Sequence, residues 1–230
     1  MIETRSRMLL PYHACRLAAA AAILVTFLAC SRGDGPLVRP DAAELAQSAP
    51  DSFRVTLQTT RGPVALMAHR DWAPHGVDRF YYLVKHHYYD STYVFRVVDG
   101  FVAQFGINGS PVVNDAWRTR RIPDDAVRHS NTRGTVSFAS EGPNTRTVQL
   151  FINLADNPKL DGAVGAYPPI AQVVSGMPMV DAFYSGYGEG PPRGLGPRQS
   201  QMAAQGNAYV EYNFPKLDMI TRAAIDQEWR

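Results

Sequence analysis

The sequence has few cysteines, little net charge and no long apolar run. Its 230 residues contain only Cys15 and Cys30 as cysteines, and 23 basic against 21 acidic side chains. A net charge of +2 is too small to indicate a nucleic-acid-binding protein. The apolar stretch at residues 17–29 is too short to span a membrane. The 17 prolines and 18 glycines predict many turns and exclude a simple helical bundle.

The first thirty residues have the order of an export signal. Three arginines precede the apolar stretch 17–29, as is typical of a secretory signal. A small residue followed by Cys30 is similar to a bacterial lipoprotein signal, in which the cysteine is lipidated and becomes the first mature residue. We therefore expect residues 1–29 to be a signal peptide and Cys30 to carry a lipid. The alternative is a plain signal peptide that is cleaved without lipidation.

Cleavage before Cys30 has consequences for charge, folding and location. The mature chain then has no net charge and one cysteine, so it forms no internal disulfide and its fold rests on its core. An acyl chain holds a protein at a membrane surface without spanning the membrane. The sequence thus predicts an exported, periplasmic protein that is anchored to a membrane through Cys30.

The rest of the chain predicts a mainly β protein. Residues 30–50 are rich in small and turn-forming residues without a sustained period, and we interpret them as a flexible tether. Alternating apolar residues at 53–57 and 64–68 predict a hairpin. Pro74 begins a predicted helix over 74–88, which has one apolar face. Later strands at 134–139, 148–152 and 170–174, with a short helix from Pro178, complete an antiparallel pattern whose edges a closed barrel hides.

The C-terminal region predicts a separate extension. Residues 191–230 begin as a Gly/Pro-rich linker, and Leu217, Ile220 and Ala224 then have the spacing of one helix face after Pro215. We expect this helix to dock on the domain, with a partner-binding helix as the alternative.

Neither the histidines nor the arginine-rich loop indicates a ligand site. His86 and His87 are adjacent and point in different directions on a helix, and no carboxylate or cysteine lies at ligand spacing beside them. We therefore expect no metal. Residues 108–133 contain five arginines, partly offset by aspartates, and we interpret them as a solvated surface rather than an anion site.

One arginine stands out at residues 94–106. Two short apolar strands meet at the turn Asp99-Gly100, with Arg96 in the first strand and Gln104 in the second. A charge among buried strands needs a partner or faces a cleft. The alternative is an arginine whose stem lies on the sheet while its head reaches water.

Three short motifs follow one another in the region of roughly residues 53–184. The first motif consists of Arg96, Gly100, Phe101 and Gln104. The second consists of Ala139, Gly142, Pro143, Asn144 and Thr145, followed by Gln149 and Phe151. The third is Leu160-Asp161-Gly162. Each motif is weak alone, but their order and spacing together are specific, and they resemble those of the cyclophilin-type peptidyl-prolyl isomerases.

The resemblance implies a fold and a set of site residues. The fold is a closed, antiparallel eight-stranded barrel capped by two helices over residues 51–190, with the C-terminal helical extension after it. By motif position Arg96 is catalytic, and Gln104 and Gln149 bind the peptide backbone. The remaining substrate-binding residues surround a proline ring: Phe101, Phe151 and Leu160, with Val102, Ala139 and Ser140 beside them.

The implied reaction needs no nucleophile, metal or cofactor. Rotation about an amide meets a barrier of about 18–20 kcal/mol, so uncatalysed X–Pro exchange takes tens to hundreds of seconds. The twisted prolyl nitrogen regains a lone pair, which accepts a hydrogen bond from a fixed guanidinium. A donor that binds the twisted state better than the planar state lowers the barrier.

Two further residues depart from the family pattern. Lys159 stands where many members carry a tryptophan, and Glu141 replaces a small residue at the groove rim. We expect a monomeric isomerase that acts on proline-containing polypeptides and assists the folding of exported proteins. The alternative is a peptide-binding or chaperone module whose isomerase activity is weak or incidental.

Overall fold

The computed structural model describes residues 35–162, 165 and 167–230. The predicted signal peptide and Cys30 lie outside the described residues, so export and lipidation stay predictions. Within the described part of the chain, every helix is too short or too polar to cross a membrane.

The described residues form one antiparallel sheet of nine strands. The strands are β1 Ser52–Thr59, β2 Gly62–His69, β3 Thr92–Tyr93, β4 Arg96–Val98, β5 Val102–Phe105, β6 Thr135–Phe138, β7 Leu150–Asn153, β8 Pro169–Ser175 and β9 Met219–Trp229. Their spatial order is β3-β9-β1-β2-β8-β6-β7-β5-β4. The edge strands β3 and β4 are separated in sequence only by Val94 and Phe95. The sheet must therefore curl until its two edges approach each other.

This architecture is mainly β, as predicted, but it differs from a closed eight-stranded barrel. Within the described residues the sheet has nine strands, and β3 and β4 are joined through the chain rather than by a ladder. The sequence predicts a C-terminal helix where the structure has β9. That prediction is wrong: β9 pairs with β1 from Ser52↔Trp229 to Thr59↔Ile220. Residues 219–229 therefore belong to the same sheet as β1.

Six α-helices surround the sheet in the described part of the chain. They are α1 Ala42–Leu45, α2 Pro74–Lys85, α3 Pro111–Trp117, α4 Met177–Asp181, α5 Gln199–Gln205 and α6 Asn207–Asn213, and Pro158–Leu160 form a 3₁₀ turn. The two predicted helices are present as α2 and α4, and α2 ends three residues earlier than expected. The arginine-rich segment, predicted as a loop, contains α3.

The described part of the predicted tether lies against the domain. Tyr82 Oη donates to the carbonyl of Pro36 at 3.1 Å, and Trp117 Nε1 donates to the carbonyl of Leu37 at 2.7 Å. The backbone N–H of Ala49 donates to Asp78 Oδ1 at 2.8 Å. Residues 36–49 are thus docked on α2 and α3, and the expectation of a flexible tether is wrong for them.

Two apolar clusters hold these elements together. The larger cluster lies inside the curled sheet and beneath α2, with Phe53, Phe80 and Phe138 fully buried. The smaller cluster contains Phe95, Ile107, Met202, Val210 and Leu217. It ties α5 and α6 to the residue that precedes Arg96. The C-terminal helices are thereby fixed beside the start of β4.

Candidate active site

All nine residues predicted for catalysis and substrate binding line one cleft. The cleft has a volume of about 880 Å³. The nine residues are Arg96, Phe101, Val102, Gln104, Ala139, Ser140, Gln149, Phe151 and Leu160. The structure brings together residues that are up to 64 positions apart in sequence, while their individual roles stay predictions.

Strand register explains why three of these residues meet. Arg96 on β4 lies opposite Gln104 on β5, and Gln104 lies opposite Phe151 on β7. Directly opposed residues of an antiparallel sheet point to the same face. A charged, a polar and an aromatic side chain therefore stand in a row across three neighbouring strands.

Arg96 faces the cleft and is held by its neighbours. Its Nη1 donates to Gln104 Oε1 at 3.2 Å, and Gln104 Nε2 donates in turn to Gln149 Oε1 at 2.8 Å. The guanidinium carbon lies 5.5 Å from the centre of the Phe101 ring. The side chain is only 21% exposed. Of the two interpretations of Arg96, the structure therefore favours a cleft residue over an arginine that reaches into water.

An apolar wall stands beside this polar row. Val102 and Phe151 are buried, whereas Phe101 and Leu160 are half-buried and line the open space. The ring of Phe151 packs edge-on against Tyr167, with 5.8 Å between centroids. The arrangement combines a floor that fits a small apolar ring with hydrogen-bonding groups along one side.

Asp161 anchors the 3₁₀ turn that carries Leu160. Burial alone raises the pKa of the Asp161 carboxyl, but hydrogen bonds from the Ser130 hydroxyl and from Asn131 outweigh it, so the pKa lies below its ordinary value. The Asn131 backbone N–H and Nδ2 donate to Asp161 Oδ1 at 2.9 and 2.8 Å. The third motif therefore supports the cleft through an ionised aspartate.

The sequence interpretation missed the contribution of residues 189–193 and 197–200, which also line the cleft. Glu189 Oε1 accepts from Arg96 Nη2 at 2.7 Å, and Gln199 Oε1 accepts from Gln149 Nε2 at 3.2 Å. The hydrogen bond from Arg96 holds the pKa of Glu189 below its ordinary value. This Gly/Pro-rich segment has no periodic pattern, so no sequence signal identified it. The sequence indicated only that the charge of Arg96 needs a partner or a cleft, without indicating which residue the partner is.

The histidines take part in packing and local pairing. Trp72 stacks between His69 and His129, with centroids 4.8 and 4.0 Å away. His86 Nε2 lies 3.0 Å from Glu44 Oε1 on the docked N-terminal segment. Among the residues that the structure describes, no three potential ligand side chains lie close enough together to hold a metal.

The sequence of this chain is similar to a family of known proteins. Residues 54–194 match the family described as cyclophilin type peptidyl-prolyl cis-trans isomerase/CLD. The chain is 32% identical over 134 residues to peptidyl-prolyl cis-trans isomerase B of Escherichia coli, covering 55% of this chain and 81% of the relative. It is 34% identical over 132 residues to peptidyl-prolyl cis-trans isomerase ppi1 of Schizosaccharomyces pombe, covering 54% and 79%.

Solved structures share the fold. A crystal structure of a Cryptosporidium parvum cyclophilin type peptidyl-prolyl cis-trans isomerase matches with a TM-score of 0.57 and 19% identity, over 77% of this chain and 99% of that chain. A second crystal structure of that protein, in the presence of the dipeptide Ala-Pro, matches with a TM-score of 0.55.

Proposed function

The chain belongs to the cyclophilin-type peptidyl-prolyl cis-trans isomerase family, and we propose that it isomerises X–Pro bonds of exported proteins and so assists their folding. Isomerase activity follows from the family. The catalytic role of Arg96 is proposed on one observation. Its guanidinium stands in the cleft beside the apolar wall of Phe101, Phe151 and Leu160.

Substrate binding rests on the two sides of the cleft. The proline ring packs on Phe101, Phe151 and Leu160, where burial of apolar surface favours binding. Gln104 and Gln149 offer amide groups to the backbone on either side of the ring, and their mutual hydrogen bond sets their orientation. The cleft then holds both the proline ring and the flanking backbone. Rotation therefore takes place about the amide bond between them.

Arg96 then favours the twisted state. A guanidinium has five N–H donors, and the contacts with Gln104 and Glu189 use two of them. The remaining donors are free to bind the prolyl nitrogen when its lone pair becomes available. Because that lone pair is engaged in the planar amide, the interaction is stronger in the twisted state, and this difference is what lowers the barrier.

Substitution of Arg96 tests this role. In an isomerase assay with a proline-containing peptide, we expect Arg96→Ala to lower kcat/KM by about 100-fold, the effect of removing one preorganised donor. Arg96→Lys, which keeps the charge but loses the planar fork, serves as the matched control and should retain an intermediate rate. An unchanged rate in Arg96→Ala, with the protein folded, would rule out a catalytic Arg96.

Export and lipidation rest on the N-terminal sequence alone. The support is the order of arginines, apolar stretch, small residue and Cys30. We expect mass spectrometry of the protein from bacterial membranes to find an N-terminus at Cys30 with an acyl modification. Cys30→Ser should abolish the modification. A mature N-terminus elsewhere would favour the plain signal peptide instead.

A further inference from the structure

The Arg96 guanidinium is held on two sides. Glu189 Oε1 lies 2.7 Å from Nη2, and Gln104 Oε1 lies 3.2 Å from Nη1. The contact with Glu189 is the shorter one, and it joins two opposite charges that are only 22% and 21% exposed. Arg96 is ionised, so both hydrogen bonds are charge-assisted, but only the one to Glu189 also gains the attraction between two opposite charges. Glu189 therefore contributes more than Gln104 to the orientation of Arg96.

Glu189 is itself fixed by a folded turn. Its carbonyl accepts from the N–H of Gly196 at 2.8 Å, and Leu195 N–H donates to the carbonyl of Tyr187 at 3.0 Å. Its second carboxylate oxygen lies 3.2 Å from Arg193 Nε. The helices after this turn pack on Phe95, the residue before Arg96. The carboxylate is thus presented to Arg96 by an element that is anchored next to Arg96.

We propose that Glu189 is a positioning residue for the isomerase reaction, since it fixes the Arg96 guanidinium in the cleft. This inference rests on the catalytic role proposed for Arg96. A free arginine side chain samples many rotamers, and each catalytic event would have to select the productive one. The ion pair with Glu189 makes that selection before substrate arrives, in the way that preorganised groups lower a barrier.

The geometry favours positioning over inhibition. Glu189 and Gln104 each take one donor of Arg96, and three N–H groups remain for a ligand. Phe101 and Leu160 still line the same open cleft as Glu189. A segment that blocked the site would cover these apolar side chains. Residues 189–193 and 197–200 instead form a wall of the cleft and leave its floor free.

The test is a double-mutant cycle of Glu189→Ala and Arg96→Ala, in which kcat and KM are measured separately. We expect Glu189→Ala to lower kcat about tenfold, within the range that loss of orientation costs, and to change KM little. Glu189→Gln keeps a hydrogen-bond acceptor and should recover part of kcat. In the Arg96→Ala background Glu189→Ala should have no further effect, because a positioning residue acts only through the residue it positions. Glu211→Gln, an exposed charge change in α6, is the control that should match wild type.

Nuclear magnetic resonance of the Arg96 side chain separates this inference from the proposed function. We expect the Arg96 Nε–Hε group to lose order in Glu189→Ala and to keep it in Glu211→Gln. A higher kcat in Glu189→Ala, an unchanged kcat, or an equal loss in the Arg96→Ala background would each overturn the inference. If wild type itself fails to accelerate isomerisation, the proposed function fails, and the positioning role for catalysis falls with it.

Discussion

Two arginines of this fold are paired with carboxylates in very different surroundings. Arg96 stands in the cleft, and its side chain is 21% exposed. Arg146 is fully buried, with Nη2 at 3.0 Å from Asp125 Oδ2 and Nε at 3.5 Å from Asp124 Oδ1. Asp125 also accepts from the backbone N–H groups of His75 and Gly76, in the first turn of α2, at 3.0 and 2.9 Å. Arg146 therefore connects a loop to a helix through Asp125, whereas Arg96 lines an open cleft.

The difference shows what separates a structural arginine from a functional one. Both have lost most contact with water and both have an acidic partner, so pairing alone does not distinguish them. What distinguishes Arg96 is that a ligand can reach it and that apolar side chains stand beside it. Arg146 is enclosed by protein on every side, so its interactions can only serve the folded state.

The largest effect on stability is expected at Arg146. Breaking a buried ion pair by removing one partner leaves an uncompensated charge, here the two aspartates, and costs about 3–5 kcal/mol. Arg146→Ala should therefore lower the free energy of unfolding by about that amount in urea denaturation. Arg128→Ala, the same change at an exposed arginine of the adjoining loop, should have little effect. Equal stability of the two variants would show that Arg146 is not structural.

The residues of the cleft were predicted from the sequence better than the secondary structure of the C-terminal residues. The predicted site residues follow from motifs in which each side chain has a fixed place along a strand, as Arg96 and Gln104 have on β4 and β5. The C-terminal strand has no such regularity. Its buried residues Ile220 and Ala223 are three positions apart, because the register with β1 shifts between Gln58 and Thr59. The shift removes the strict alternation of a strand, and the spacing of Leu217, Ile220 and Ala224 imitates a helix face instead.

The contact between Glu189 and Arg96 could not be predicted from the sequence, for a different physical reason. Glu189 lies 93 residues from Arg96 in sequence, and the turn that presents it is closed by backbone hydrogen bonds from Leu195 to Tyr187 and from Gly196 to Glu189. Such turns leave no alternation or helical period in the sequence. The need of Arg96 for a partner was predictable, but the identity of the partner required the tertiary structure.

The smallest effect is expected at Arg118, which lines the cleft but is exposed to water. Its side chain is 70% exposed and pairs with Asp115 at 2.8 Å, itself 75% exposed. Exposed pairs of this kind contribute between about 0 and 1 kcal/mol, since water screens the charges. Arg118→Ala should change the free energy of unfolding by less than about 0.5 kcal/mol and leave kcat/KM for an uncharged peptide near the wild-type value. A loss of kcat as large as that expected for Glu189→Ala would contradict this comparison. It would mean that any arginine that lines the cleft contributes to activity, even one that is exposed to water and stands away from the apolar wall.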